Sequence, residues 1–215
     1  QASVGDQWRQ RYKSLCLHDP AHYCHFPYLP FPPGWSLYTP KDQLADWMES
    51  YARIMELQIW TSSPLEKAQY NSETKNWQLD VIHNGEHRHL EVKHLVIALG
   101  VAGYPQTPTI PGQDLFTGEQ HHSSQHPGPD QYRGKRCVVV GSNNSAHDIA
   151  AALWEAGAGE VTMLQRSSTA VVPIPGLEEH AFKGAYSDHA LEQGITTEMT
   201  DMAIASIPYR LLPRW

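Results

Sequence analysis

The chain has 215 residues, enough for one large domain or two small ones. With 16 Lys and Arg against 23 Asp and Glu, it carries a net charge of −7 and no basic cluster, which argues against nucleic acid or an anionic membrane surface as a partner. No apolar run approaches the ~18 residues of a membrane span, and no charged start followed by an apolar core marks a signal peptide. The chain opens on Gln1 rather than Met, so a preceding piece is expected.

Gly5-Asp6 is a turn signal, followed by Trp8, Arg9, Arg11 and Tyr12. An aromatic ring and two cations beside a turn suit a phosphate-bearing ring ligand; an ordinary turn with a packed Trp is the plainer reading. Residues 13–40 are rich in proline, which excludes long regular structure, and rich in apolar and aromatic side chains, which predicts packing rather than solvation. His18, His22 and His25 raise a metal question, but neither H-E-x-x-H nor C-x-x-C is present, so no metal is expected. Thr39-Pro40 reads as a helix start, Thr as N-cap and Pro at N1. Leu44, Trp47, Met48, Tyr51, Ile54 and Met55 recur at helical spacing to about Leu57, as a core-facing stripe.

Residues Ile59–Tyr70 and Trp77–Ile82 read as strands split by a turn at Asn71–Asn76. Asn84-Gly85 is a two-residue hairpin signal, and an alternating stretch leads into Leu95–Leu99, read as a buried strand. A small antiparallel meander therefore returns to a central sheet. Ala98-Leu99-Gly100 ends it, with Pro105, Pro108 and Pro111 beyond. The stretch Phe116–His126 then crosses to the next unit; its His122 and His126 lack a third partner for a metal.

From Arg136 to Ser167 the pattern is strand, tight turn, helix, strand. Cys137–Val140 is a β-branched run of the kind buried on both faces. Gly141 breaks it, and Ala146, Ile149, Ala150, Leu153 and Trp154 mark one helical face that Gly157 closes. Val161–Leu164 is the second strand. Such a turn aims unpaired N–H groups and a positive dipole end at one point, a place for a pyrophosphate. The glycine pattern G-x-G-x-x-G/A is met at Gly141 and Ala146, but Asn143 stands second; Asn tolerates left-handed angles. Where a carboxylate would mark NAD, the chain has Gln165, Arg166 and Ser167; a guanidinium and a hydroxyl suit a 2′-phosphate, hence NADPH. After Ser168 the chain loosens, with a short helix at Met202–Leu212 and no third strand for this unit. Cys16, Cys24 and Cys137 are too few and scattered for a disulfide framework, and their odd number fits a reducing, cytoplasmic setting.

As a set, these landmarks resemble class B flavin-dependent monooxygenases, the flavin-containing monooxygenase and YUCCA type, and fungal relatives above all. Gly5-Asp6-Gln7-Trp8 is similar to G-G-x-W, with Asp6 for the second glycine. Leu15–Pro32 is similar to L-x-L-H-x-P…L-P-x-x-P-F-P, and Ala98-Leu99-Gly100 to A-T-G. Phe116-Thr117-Gly118…His122 is similar to F-x-G-x-x-x-H, and Gly141–Asp148 to G-S-G-N-S-A-H-D.

The resemblance implies an α/β, two-dinucleotide-binding (Rossmann-like) flavoprotein fold with a small antiparallel meander. It assigns 1–112 to an FAD-binding domain, 113–135 to a linker and 136–215 to an NADPH-binding domain. NADPH would reduce the flavin, and the flavin would carry O₂ as a C4a-(hydro)peroxide to a small-molecule substrate. Gly5, Trp8, Leu65, Ala98 and Gly100 would line FAD. Gly141, Ser142, Asn143, Asn144 and Ser145 would hold the NADPH pyrophosphate, with Arg166 and Ser167 on its 2′-phosphate. His18 would lie near the flavin and His122 at the domain junction, both catalytic. Family members open with a strand–GxGxxG–helix that this chain lacks, so it is expected to be a fragment that holds FAD poorly. The alternative is a non-catalytic nucleotide-binding remnant without FAD. A flavin disulfide reductase would need a close cysteine pair, which is absent.

Overall fold

The computed structural model describes residues 1–21, 24–100, 104–169, 171, 184 and 186–206. Its elements are α1 (Asp6–Arg9), α2 (Lys41–Ile54), β1 (Leu65–Asn71), β2 (Asn76–His83), β3 (Glu86–Val92), β4 (Arg136–Val140), α3 (Asn144–Glu155), β5 (Glu160–Leu164), α4 (Asp188–Glu192) and α5 (Thr197–Ser206). Contacts divide the chain into Gln1–Cys137 with His147–Val161, and Val138–Ala146 with Thr162–Trp215.

In the first unit, the proline-rich segment packs as its composition predicts. Phe31 is buried with Ala21, Leu44 and Trp47, and Trp8, Leu17, Trp35, Met48 and Tyr51 pack around them. Phe31 stacks on Trp35 at 4.9 Å and meets Trp47 edge-on at 4.6 Å. Buried aromatic area and ring geometry thus replace regular hydrogen bonding as what holds this segment. Helix α2 starts one residue later than its sequence suggests. Pro40 occupies the N-cap, and Leu44 N donates to Pro40 O at 3.0 Å. Thr39 is instead fully buried, its Oγ1 without a partner among the described residues, and its carbonyl is not free to open the helix because it accepts from Leu17 N at 2.8 Å. The helical stripe buries Leu44 and Trp47, but Ile54, at the helix end, is 62% exposed.

The sheet β1-β2-β3 is an antiparallel meander. Asn84 and Gly85 adopt φ of 53° and 77°, both positive, as a two-residue hairpin with right-handed strands requires. At the other turn, the Asn71 side-chain oxygen accepts from Glu73 N at 2.9 Å and Thr74 N at 3.2 Å. The first strand begins at Leu65, not Ile59, because Ser62 takes φ 49° and breaks the extended run. Leu95–Leu99 is not a strand. It has no strand partner among the described residues, and Val96, Ile97 and Leu99 are 82%, 65% and 80% exposed. An apolar run signals burial, but a strand also needs a neighbour for its N–H and C=O groups.

Strands β4 and β5 pair in a two-stranded sheet joined through α3. Cys137–Val140 is not buried on both faces: Val138 and Val140 are 65% and 57% exposed, since among the described residues one strand alone flanks it. The helix buries Ala146, Ile149, Ala150 and Leu153, whereas Trp154 turns outward at 67% exposure. Helix α3 ends as Gly157 foretells. With φ 87°, Gly157 donates to Trp154 O and Ala158 donates to Leu153 O, each at 3.0 Å, a Schellman closure. Gly157→Ala should therefore cost about 1–2 kcal/mol, the left-handed penalty for a residue with a Cβ; a urea melt of the variant checks it.

Two short helices follow where the sequence shows no clean period. Ser187 Oγ caps α4 by accepting from Ala190 N, and Gly194, φ 78°, follows the helix end. Thr196 Oγ1 accepts from Met199 N at 3.3 Å at the start of α5. That helix begins at Thr197, earlier than Met202; its expected end at Leu212 lies outside the described residues. Caps, not periodicity, mark these elements. Among the described residues, no helix is long and apolar enough to cross a membrane.

Candidate cofactor-binding sites

The first candidate site is an open cavity of ≈ 520 Å³ in the first unit. Gly5 and Trp8, Ile59 to Ser63, and Ala98 to Gly100 line it, with Met48 of α2. Four of the residues chosen from sequence motifs, Gly5, Trp8, Ala98 and Gly100, thus meet around one space. Gly5 takes φ 92°, and a Cβ there would sit 2.6 Å from Ala45 O, so α1 presses backbone-to-backbone on α2. The walls are indole, methylene and bare backbone, with hydroxyls from Ser3, Thr61, Ser62 and Ser63. Among the described residues no Lys, Arg, Asp or Glu lines the space, which suits a flat ring and a ribose rather than a pyrophosphate. Trp60 and His83 stack at 4.1 Å and 12°, and His83 Nδ1 lies 2.9 Å from Ser63 Oγ. Met48 and Ile59 read from the sequence only as core and strand, and Trp60 was not singled out. A Trp among small polar residues, just past a helix, was the signal available.

Leu65, Arg9, His18 and His122 lie apart from the cavity lining. Leu65 opens β1, two residues beyond Ser63. His18 Nε2 lies 3.1 Å from Asp148 Oδ2, which also accepts from Tyr12 OH at 2.7 Å. His122 caps a short 3-10 turn, accepting at Nδ1 from Ser124 N at 3.2 Å. His25 Nδ1 lies 3.0 Å from Phe26 O, and His22 lies outside the described residues. No group of three or more His, Cys, Asp or Glu among the described residues is placed to hold a metal. The three cysteines are free thiols, and burial pushes each of them up.

Below His122, a ring stack fixes the crossing segment. His126 stacks on Tyr132 at 5.5 Å and on His121 at 5.4 Å, and Tyr132 OH donates to Glu119 Oε1 at 2.8 Å. Burial and then this carboxylate push Tyr132 up to about 12. His126 is buried, its Nε2 without a partner among the described residues; burial first, then His121, lowers its pKa against the opposing pull of Glu119. The unfolded chain takes up this proton near 6.5, the folded chain at lower pH. The stack's contribution is therefore whole above pH 6.5 and is lost as pH falls through the folded value. Thermal melts should drop below pH 6.5, and His126→Phe, which cannot titrate, should flatten that slope.

The second candidate site is the turn at Gly141, in the second unit. Gly141 takes φ 151°; a Cβ there would lie 3.2 Å from the Ala146 methyl, and its N donates to Leu164 O at 3.0 Å. Ser142 O accepts from Thr169 Oγ1, and Asn143 O accepts from Ala146 N at 2.9 Å. Asn143 does not use a left-handed angle. Its backbone is ordinary, so its effect lies in an exposed side chain beside the turn. Asn144 begins α3, and Ser145 is half-buried behind it. Arg166 and Ser167, just past β5, are exposed, and Arg166 makes no ion pair or hydrogen bond with a described residue. An exposed guanidinium and a hydroxyl at a strand end, beside a helix-opening turn, are chemically fit for phosphate.

Comparison with known proteins gives the family and the fold. Residues 33–175 match the family model for pyridine nucleotide-disulphide oxidoreductases. The chain belongs to that family. Its resemblance to the class B flavin monooxygenases is borne out as well. It is 33% identical over 172 residues to a rice (Oryza sativa subsp. japonica) protein named indole-3-pyruvate monooxygenase YUCCA1, covering 80% of this chain and 41% of that protein. A mutant flavin monooxygenase from Stenotrophomonas maltophilia superposes with a TM-score of 0.70 at 23% identity, over 91% of this chain and 59% of that one. OTEMO, solved in complex with FAD and NADP, superposes with a TM-score of 0.59 at 22% identity, over 77% of this chain and 33% of that one. The shared fold is Rossmann-like α/β. The chain spans about 41% of the length of this curated relative.

Proposed function

We propose that this chain is part of an FAD- and NADPH-dependent monooxygenase of the N,N-dimethylaniline or indole-pyruvate monooxygenase type. Residues 1–112 belong to its FAD-binding domain, 113–135 to the linker and 136–215 to the NADPH-binding domain. One observation carries the reading: motif residues ninety or more positions apart in sequence, Gly5 and Trp8 with Ala98 and Gly100, line one ring-sized cavity.

Bound there, FAD supplies the electron transfer and oxygen activation that no side chain performs. Trp8 and Trp60 flank the ring system, and Gly5 and Gly100 let it approach bare backbone. Their apolar surface excludes water from the reacting face. At the other site, the N–H groups from Ser142 to Ser145 bind the NADPH pyrophosphate and Arg166 with Ser167 the 2′-phosphate. His18, held by Asp148, and His122 stand outside the cavity lining, and any part they take in the reaction is played from beyond that wall. Both substrates, O₂ and a small molecule that accepts oxygen, arrive from solution in a reducing, cytoplasmic setting.

The test is titration of the chain with FAD, followed by quenching of flavin fluorescence, and then NADPH oxidation with and without FAD. Weak but saturable quenching is expected, with any NADPH oxidation dependent on added FAD. No flavin uptake at any concentration would favour a non-catalytic nucleotide-binding chain instead.

A further inference from the structure

Arg9 sits one residue from the cavity wall, yet its charge is turned into the protein. Its Nη2 donates to Asp46 Oδ1 at 2.8 Å and Glu49 Oε2 at 2.7 Å, both on α2. Its Nη1 donates to Val4 O at 2.8 Å and Asp6 Oδ1 at 3.2 Å. Asp6 also accepts from Ser3 N at 2.8 Å through Oδ2. The buried Lys41 Nζ donates to Arg9 O at 2.9 Å and Asp42 Oδ1 at 2.6 Å. Helix α1 is one turn of 4 residues, too short to persist alone. Trp8 on that turn and Met48 on α2 line the same cavity, and neither Asp6 nor Arg9 does. The wall therefore keeps its shape only while the turn stays docked on α2.

We propose that Arg9, braced by Asp6, is a positioning residue that clamps α1 to α2 and so sets the Gly5–Trp8 wall of the cavity. Asp6 stands where G-G-x-W has its second glycine, and the carboxylate gained there is engaged in this clamp. The guanidinium fork reaches two helices and a carbonyl at once, which the point charge of a lysine does not. Packing of Gly5 on Ala45 brings the turn close; the clamp fixes its rotation. The effect on flavin rests on the function proposed above, but the docking does not.

Hydrogen exchange tests the docking without any ligand. The amides of Trp8, Arg9, Gln10 and Arg11 are bonded within this turn at 2.8, 3.2, 3.0 and 3.0 Å. In Arg9→Lys their exchange should accelerate about tenfold or more, while β2 amides stay unchanged. FAD affinity should fall about fivefold or more with NADPH affinity unchanged. Should Arg9→Lys fail to fold, Asp46→Asn with Glu49→Gln, at side chains 73% and 37% exposed, removes the same contacts from the α2 side and should accelerate the same amides. Unaltered exchange over residues 8–11 would overturn the clamp, and so would equal loss of FAD and NADPH binding, which marks general unfolding. A wild-type chain that takes up no FAD would overturn the function proposed above and leave exchange to decide the clamp.

Discussion

Gly5→Ala is expected to destabilise the chain by about 3 kcal/mol, the sum of a left-handed backbone penalty and an overpacked contact. Gly5 sits at φ 92°, where a Cβ is strained in any surroundings, and that Cβ would meet Ala45 O at 2.6 Å and Ala45 Cα at 2.9 Å. Both atoms belong to the backbone of α2, so no side-chain rotation relieves the contact. The turn must lift off the helix, taking Trp8 away from the core around Trp47. For a chain of this size the loss is about 6–12 °C in melting temperature. Denaturant melts followed by tryptophan emission measure it. A variant within about 0.5 kcal/mol of the parent, the usual span of neutral surface changes, would show that α1 does not press on α2.

Arg166→Ala is expected to weaken NADPH about 10- to 100-fold and leave NADH unchanged, since a charge-assisted phosphate contact is worth about 1.5–3 kcal/mol. Arg166 has no competing ion pair among the described residues, so its removal costs the fold little. Titration with both nucleotides separates the outcomes. Equal loss for NADPH and NADH would place Arg166 away from the 2′-phosphate, and no loss for either would remove it from the site.

Local chemistry was legible in the sequence wherever one short stretch contains both the cause and the effect. Asn84-Gly85 needs only two positive φ angles, and Gly157 only the carbonyls of Leu153 and Trp154 just before it. The Ala146, Ile149, Ala150 and Leu153 face follows from periodicity alone. The cavity was legible in a different way: its residues were chosen from separate motifs, and the fold brings four of them together. What failed depended on partners elsewhere in the chain. Leu95–Leu99 and Cys137–Val140 are apolar enough to be buried strands, but hydropathy does not say whether a neighbouring strand is present. Thr39 is a strong cap by type, yet its carbonyl is claimed by Leu17. Arg9 reads as a free cation beside a turn; the carboxylates that claim it lie 37 and 40 residues away.

The open run from Val96 to Leu99 has a colloidal consequence. It presents branched apolar side chains together with backbone groups that no strand has taken up. Val138, Val140 and Leu164 expose branched apolar side chains on the paired β4-β5 sheet as well. Such rows template pairing between molecules, and the modest negative charge of the chain is weak protection once they meet. Expressed by itself and concentrated, this polypeptide should gather into β-rich aggregates that bind thioflavin T. Lysine at Val96 or Val138, one charge set into each row, should keep it dispersed.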